Sequence, residues 1–377
     1  MIFINDNQTF HIKELNEDYN QQMLELIESC PMCSKDIDVI FTRRPDVFLL
    51  SKLHYEYLKF AGIFYNDDLI AIGMVGYEKV FVNGEEKYVF HFTDVYFKKE
   101  FRKRRLYPDF APFFFRSSYK DSNLGYALIL NNNIAAEKAL LKNYPGKNNV
   151  PFAKKVAKMA YKTILVTFNK KINSEDKDFI IRNATEDDLQ SIYQFLNNDY
   201  RDRLFAPVLS LEKLRSMNNN RPNFSIGSNY FLAFYKNELV GVVSAWDNRE
   251  IKQTTVSRYG LKYSTSRWIY YLGEKIFSFP PLPNIGNAFK DITVCDCAIK
   301  DNDYKILTNI LEYIYRKAHK QRINCINFGS FEGDPLLNAC DAFFTEGVFV
   351  NLYLISKDIN QFEKIKINRP YINWGLV

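Results

Sequence analysis

At 377 residues the chain is too long for one ordinary core, and about 150 residues per domain makes two domains the expectation. Apolar content of 47% is that of a globular protein, while 32 Phe and 25 Tyr favour large cores or a groove for something apolar. A net charge of +6 over this length argues against a general nucleic-acid binder, so no nucleic-acid partner is expected.

Met1 to Phe10 lacks a basic start followed by an apolar block, so no secretory signal is expected. No uninterrupted apolar run approaches the ~18 residues of a membrane span, which leaves peripheral contact, with Ala111 to Phe115 as the candidate segment. Cys30, Cys33, Cys295, Cys297, Cys325 and Cys340 are expected to be reduced thiols in a cytoplasm. The expected location is cytoplasmic, with or without attachment to a membrane surface.

From His11 to Glu28, Ile12, Leu15, Met23, Leu26 and Ile27 fall at helical spacing, and Ser29-Cys30-Pro31 ends the run. Cys30-Pro31-Met32-Cys33 is a lone C-x-x-C with no second pair and no nearby His, so no metal site is expected. Arg43-Arg44-Pro45-Asp46-Val47-Phe48 is a Pro turn flanked by cations. It reads equally as a surface turn or as a wall of an anion site, and a second helix-like stretch follows to Phe60.

Ala61 to Tyr65 and Leu69 to Val82 read as strands, and Asn83-Gly84 is a hairpin signal leading into a third strand, Tyr88 to Phe97. Six of the next eight residues are cationic (Lys98, Lys99, Arg102, Lys103, Arg104 and Arg105), and Pro108 then marks a helix start. A strand, a basic turn and a helix N-terminus together make a phosphate site, because the first N–H groups of a helix lack internal partners and its dipole favours an anion; a solvated charge run between strand and helix is the other reading.

Leu124 to Leu130 reads as a strand, Asn133 as a helix cap before Ile134 to Leu141, and Ala157 to Phe168 as a strand closing the first unit. Asn169 to Asp178 is the expected linker. Phe179 to Leu189 then opens a second unit with a short strand and a capped helix. Tyr230 to Tyr235 and Leu239 to Trp246 form a hairpin, Asn324 to Gly329 a strand, and Pro335 to Phe343 a helix.

Phe97 to Tyr107 resembles the pyrophosphate loop of the GNAT (acyl-CoA N-acyltransferase) superfamily, usually written V-x-P-x-Y-R-G-x-G-x-G. Arg102 matches the family's Arg/Gln and Phe97 its apolar strand end, while Lys103, Arg105 and Tyr107 stand where the family has small residues. Asn133 and Ala136 match the N-x-x-A segment after the fifth strand, and Ile180-Ile181-Arg182-Asn183-Ala184-Thr185 resembles the opening of a GNAT domain. Trp246-Asp247-Asn248-Arg249-Glu250-Ile251-Lys252-Gln253, Arg43 to Phe48 and Pro281 to Gly286 are similar to strings in a group of bacterial tandem-GNAT proteins.

This resemblance implies an α+β fold of two tandem domains, 1–170 and 178–377. Each is a mixed, mostly antiparallel central sheet flanked by helices. It implies an acyl-CoA co-substrate, acetyl or long-chain, held in the first unit by Phe97, Arg102, Lys103, Arg104, Arg105, Leu106, Tyr107 and Asn133. In the second unit Ile292 to Asp303 carries acidic residues where phosphate would bind, so CoA is not expected there.

Acyl transfer to an amine needs a base for the amine and an acid for the leaving thiolate. Simple strand alternation puts His91 and Thr93 on one face and Asp94 and Tyr96 on the other. Asp94 or His91 is the candidate base, and Tyr96 or Tyr144 the candidate acid; the family's Tyr would fall at Leu140. The implied activity is N-acylation of a primary amine, with a small amine and a long-chain amino lipid such as a sphingoid base both open as acceptor. The alternative is a catalytically inactive module that binds acyl-CoA or a protein. The Trp246 to Gln253 cluster reads equally as an interdomain salt-bridge network or as part of an active site.

Overall fold

In the computed structural model, which describes residues 1–5, 8–115, 119–120, 122–147, 149–168 and 178–377, the chain opens as a hairpin of β1 (Ile2–Asn5) and β2 (Gln8–Leu15). The helix expected from His11 therefore begins only at α1 (Asn20–Glu28). Phe10 and Ile12 are buried two residues apart on one face of β2, and ladder pairing with the fourth strand overrides the helical spacing. β3 (Ile37–Thr42) follows, then α2 (Val47–His54), capped by the Asp46 carboxylate, which accepts from the Phe48 N–H at 2.8 Å. Contrary to the expected helix through Phe60, Tyr57 already belongs to β4 (Tyr57–Tyr65).

β5 (Asp68–Val82) and β6 (Glu85–Phe97) meet at Asn83-Gly84, whose φ values of 56° and 81° match the hairpin signal. A 3-10 turn, Lys99–Arg104, leads into α3 (Tyr107–Phe115), followed by β7 (Leu124–Leu130), α4 (Ile134–Leu141) and β8 (Phe152–Leu165). The expected linker, Asn169 to Asp178, lies outside the described residues save for Asp178.

Next come β9 (Phe179–Asn183), α5 (Leu189–Tyr200), α6 (Leu211–Asn220), α7 (Ile226–Asn229), β10 (Tyr230–Tyr235), β11 (Glu238–Trp246) and β12 (Gln253–Tyr259). α8 (Leu261–Phe277), β13 (Asp291–Ile299), α9 (Tyr304–Lys320), β14 (Cys325–Phe331) and β15 (Thr345–Ser356) complete the regular elements. The helix expected over Pro335 to Phe343 is a run of 3-10 turns, Pro335–Ala342.

Thirteen strands form one sheet in the order β1-β2-β4-β5-β6-β7-β15-β8-β14-β13-β11-β10-β9, and β3 pairs with β12 in a separate ribbon. All neighbours are antiparallel except β6 with β7 and β13 with β14. Each parallel pair is short, Phe90↔Gly125 and His91↔Tyr126 in one, Asp291↔Cys325 to Thr293↔Asn327 in the other, after which the strands diverge into a fork.

β8 does not close the first half as expected. It pairs with β14 over Met159–Leu165 and with β15 along its whole length, while β15 pairs with β7. Each half thus takes the other's last strand between its own, and the sheet runs unbroken across the 170/178 division.

α1 and α2 cover one face of β4 to β6 through Met23, Leu24 and Phe48 against Phe60 and Met74. α3 covers the other through Phe110 and Phe114, the latter packed on Phe92. Ala111 to Phe115, the segment expected to be free for a membrane surface, is core apart from the partly exposed Phe113. Its aromatic spacing matched the inner face of a helix, and every buried aromatic ring repays packing. Among the described residues no helix is long and apolar enough to cross a membrane.

Candidate acyl-transfer site

The fork of the first half starts where His91 pairs with Tyr126. Just beyond it, β6 carries a bulge opposite Gly73: Met74 pairs with Thr93 but Ile72 with Tyr96, and Asp94 sits at φ 53°. The extra residue resets the alternation. Tyr96 lies with the α1/α2 core and Phe97 packs on Phe110 of α3, so Tyr96 shares a face with His91 rather than opposing it. Period-2 reading of His91 to Tyr96 failed because it assumed an unbroken ladder.

Asp94 is engaged by Arg43 at two points, Nη1 to Oδ2 at 2.8 Å and Nη2 to Oδ1 at 2.9 Å, with both side chains nearly buried. Arg43 also donates to Ser51 Oγ at 3.2 Å. His91 Nδ1 lies 2.7 Å from the Tyr55 hydroxyl and its ring stacks on Tyr126, while Nε2 is buried with no partner among the described residues. Burial holds the His91 imidazole neutral, with its pKa pushed down to about 3. Beside it Glu78 accepts from Tyr126 at 2.6 Å and pairs with His54 at 3.3 Å; burial opposes its charge, yet these partners hold the carboxyl below its usual range. Burial raises the Tyr96 phenol above its usual range.

At the mouth of the fork the expected phosphate loop is the 3-10 turn before α3. Arg102 folds back, its Nε donating to the Phe97 carbonyl at 3.0 Å, and Arg104 donates to Gln8. Lys98 pairs with Asp68 at 2.6 Å. Lys99, Lys103 and Arg105 face solvent, with Arg105 in the left-handed region at φ 54°. Leu106 and Tyr107 are buried, and the Tyr107 hydroxyl has no partner among the described residues. Asn133 caps α4 by accepting from the Ala136 N–H at 3.2 Å. Leu140 is core, and Tyr144 lies past α4 with its hydroxyl donating to the Ala139 carbonyl at 3.0 Å and its ring beside Tyr107.

The fork of the second half is closed. Tyr371 donates to the Cys295 carbonyl at 2.5 Å, and the Trp374 ring lies against Gly329, where a Cβ would have no room. The remaining cavity is about 20 Å³. Its equivalent bulge, between Val294 and Cys297, holds the buried Asp296 carboxylate with hydroxyls of Tyr200, Tyr230 and Ser244 at 3.0, 2.8 and 2.8 Å. At the start of α9 the Asp303 carboxylate takes the Lys305 N–H at 2.9 Å. The helix end that could meet an anion is already capped by one.

Two strings singled out in the sequence, Arg43 to Phe48 and Trp246 to Gln253, meet where the two halves join. The β3–β12 ribbon sets Thr42 opposite Gln253, so Arg43-Arg44 and Lys252-Gln253 become neighbours. Gln253 accepts from the Arg44 N–H at 3.2 Å and donates to its carbonyl at 2.8 Å; Arg44 pairs with Glu28 at 2.7 Å. Lys252 is partly buried, donates to the main-chain oxygen of Val377, and feels Arg43, Asp94 and Asp291. Burial, reinforced by Arg43, lowers its pKa to about 8, and burial raises that of Asp291, which accepts from Asn327 at 2.9 Å, to about 6. The rest of the Trp246 to Gln253 string is structural: Trp246 donates to the Pro222 carbonyl, Asp247 pairs with Arg249, and Asn248 holds the Gly375 carbonyl. Asp291 was hidden because a lone acid heading an apolar strand has no signature.

In structure the chain is similar to N-myristoyltransferase of Saccharomyces cerevisiae with bound myristoyl-CoA, at TM-score 0.58 and 12% identity over 92% of this chain and 79% of that one. It is also similar to a GCN5-related N-acetyltransferase from Sphaerobacter thermophilus, at TM-score 0.57 and 8% identity over 97% and 98%. No protein-family model matches the sequence, and no curated protein does. The fold is that of the GNAT superfamily, a mixed and mostly antiparallel sheet flanked by helices, as the loop and strand order implied.

Proposed function

We propose that the chain is an acyl-CoA-dependent N-acyltransferase whose donor occupies the fork between β6 and β7. The asymmetry of the two forks carries this reading: the first diverges beside solvent-facing cations and an unpartnered tyrosine hydroxyl, while the second is filled by Tyr371 and Trp374 and capped by Asp303. Lys103, Arg105 and the Tyr107 hydroxyl would hold the donor's phosphates with the first turn of α3. The thioester would then lie near the Asp94 bulge.

The acceptor amine would approach from the junction of the halves. Its nitrogen attacks the thioester carbonyl carbon, the amine proton passes to a base, and the C–S bond breaks to release the CoA thiolate, which takes up a proton. Asp94 is committed to Arg43 and His91 is too weakly basic, so the groups poised near neutral pH are Asp291 and Lys252. The donor shares its chemistry with the myristoyl-CoA bound by the yeast neighbour; acetyl-CoA remains the other donor, and a small amine or a lipid amine the acceptor.

Calorimetric titration with acetyl-CoA and with palmitoyl-CoA tests this, on the wild type and on Lys103→Glu/Arg105→Glu. Binding that the charge reversal abolishes is expected, with the tighter donor setting the acyl length. No heat from either donor would leave the inactive-module reading in its place. With a donor in hand, Lys252→Met should lower kcat more than it raises KM if the amine proton leaves through this pair.

A further inference from the structure

α8 is turned inside out. Leu261, Trp268 and Lys275 recur every seven residues, about two turns, and so line one side of the helix, where they are exposed. Trp268 is 67% exposed, Ile276 66% and Tyr271 52%. Beside them Phe277 and Phe168 stand half exposed, their rings 5.2 Å apart. The helix is held from its other side, where Gly273 packs on the Phe279 ring so closely that a Cβ would collide, and where Glu274 pairs with Arg322 at 2.7 Å. An ordinary surface helix buries such a stripe. Here the apolar stripe faces outward on a fixed helix, and a patch of this kind marks a contact surface.

The chemistry of the patch selects its partner. Trp and Tyr, each with an apolar body and a polar edge, are the residues that settle at the level of lipid headgroups. Lys275 lies with its ammonium 4.5 Å from the Tyr271 ring, able to keep its charge at the surface while its stem covers apolar area. The α8 sequence has three cations against one acid, the chain as a whole is cationic by +6, and Arg322 brings the basic last turn of α9, with Lys317 and Lys320, beside it. A protein partner would have to match that mixture residue by residue. An anionic bilayer matches it without specific pairing, since apolar insertion and charge attraction add.

We propose that α8 is a membrane-docking helix that lies in the headgroup plane of anionic bilayers, with Trp268, Tyr271 and Ile276 inserted. This stands apart from the acyl-transfer reading, which needs no membrane.

Trp fluorescence of the full chain tests it directly, because Trp246 and Trp374 are 0% and 7% exposed and only Trp268 can meet lipid. Vesicles of phosphatidylcholine with phosphatidylglycerol should shift the emission to the blue, brominated acyl chains should quench it, and pure phosphatidylcholine should do far less. Trp268→Ser/Ile276→Ser removes only exposed side chains, so its thermal unfolding should match the wild type. In co-sedimentation with the mixed vesicles its affinity should fall roughly tenfold or more. Equal sedimentation of variant and wild type would overturn the proposal. So would a wild type that ignores vesicles, whether it stays monomeric or forms a dimer that the variant loses, the latter assigning the patch to a second copy of this chain.

Discussion

Arg43 grips Asp94 at two points, 2.8 and 2.9 Å, across the edge of the first fork. The pair fixes the bulge that ends strand alternation in β6 and leaves the carboxylate unable to act as a free base. Removing one partner of a buried pair strands the other charge, so Arg43→Met should cost about 3 kcal/mol in urea unfolding. The double variant Arg43→Met/Asp94→Leu should recover most of that. A double variant as unstable as the single would show that the cost lies in Arg43 packing and in its bond to Ser51 rather than in the stranded carboxylate.

Lys252 makes the second prediction. Its folded-state pKa lies near 8 against an ordinary 10.5, so folding disfavours its charged form. The penalty is absent above pH 10.5 and grows as the pH falls, reaching its full size below about 8, where it amounts to about 3 kcal/mol. Lys252→Met removes it and loses one hydrogen bond to Val377, about 1 kcal/mol. The variant should therefore be more stable than wild type by about 2 kcal/mol at pH 7, and this gain should vanish on approach to pH 10.5. Denaturant titrations at three pH values check it; a gain independent of pH would place the effect in packing.

Local chemistry made much of the fold legible. Asn83-Gly84 announced a hairpin because only a few residues accept two successive positive φ values, and β7 emerged with its observed bounds because one apolar run sits between polar ones. Thr185 and Asp188 form a capping box where the sequence implied a capped helix. What stayed hidden is set by distant partners. β3 and β12 are short strands that exist because they find each other, and that meeting carries Arg43 to Lys252. Nothing in the residues of β8 says that its neighbour is β14 rather than β7. The bulge at Asp94 is a one-residue insertion relative to β5, so it is visible only once Ile72 and Met74 are seen paired.

His91 gives a prediction in acid. Its folded pKa of about 3 lies below the ordinary 6.5, so the neutral ring contributes stability that is full above pH 6.5 and lost as the pH falls toward 3. Glu78, also held below its ordinary 4.5, adds loss in the same direction only below that value. Asp291, whose folded pKa of about 6 lies above its ordinary 3.8, gains stability over the same range, so between pH 6.5 and 4.5 the His91 loss of about 3 kcal/mol is read as the difference between wild type and a variant without the imidazole. His91→Gln keeps an acceptor for Tyr55 and cannot titrate; its stability relative to wild type should rise by about 3 kcal/mol as the pH falls across that window. A variant that declines in parallel with wild type would assign the loss elsewhere.

The exchange of β8 and β15 predicts how the chain can be divided. Residues 1–168 alone would leave β8 with neither of its neighbours, since both β14 and β15 come from beyond the cut, and β7 would lose β15. Residues 178–377 alone would leave β14 and β15 without β8. Each fragment would expose long strand edges rich in apolar residues, which pair with other chains when unprotected. Each fragment should therefore be insoluble or poorly structured alone, and the two produced together should form one soluble complex with the far-ultraviolet dichroism of the intact protein. The same interlock makes the intact sheet a single cooperative unit, because neither half can lose its order without stripping a strand from the other. One unfolding transition, coincident by Trp fluorescence and by dichroism, is expected for the full chain. A first fragment that folds as a stable monomer would mean that β8 can turn back onto β7 in the place β15 holds, and the strand exchange would then be a consequence of covalent connection rather than a condition of folding.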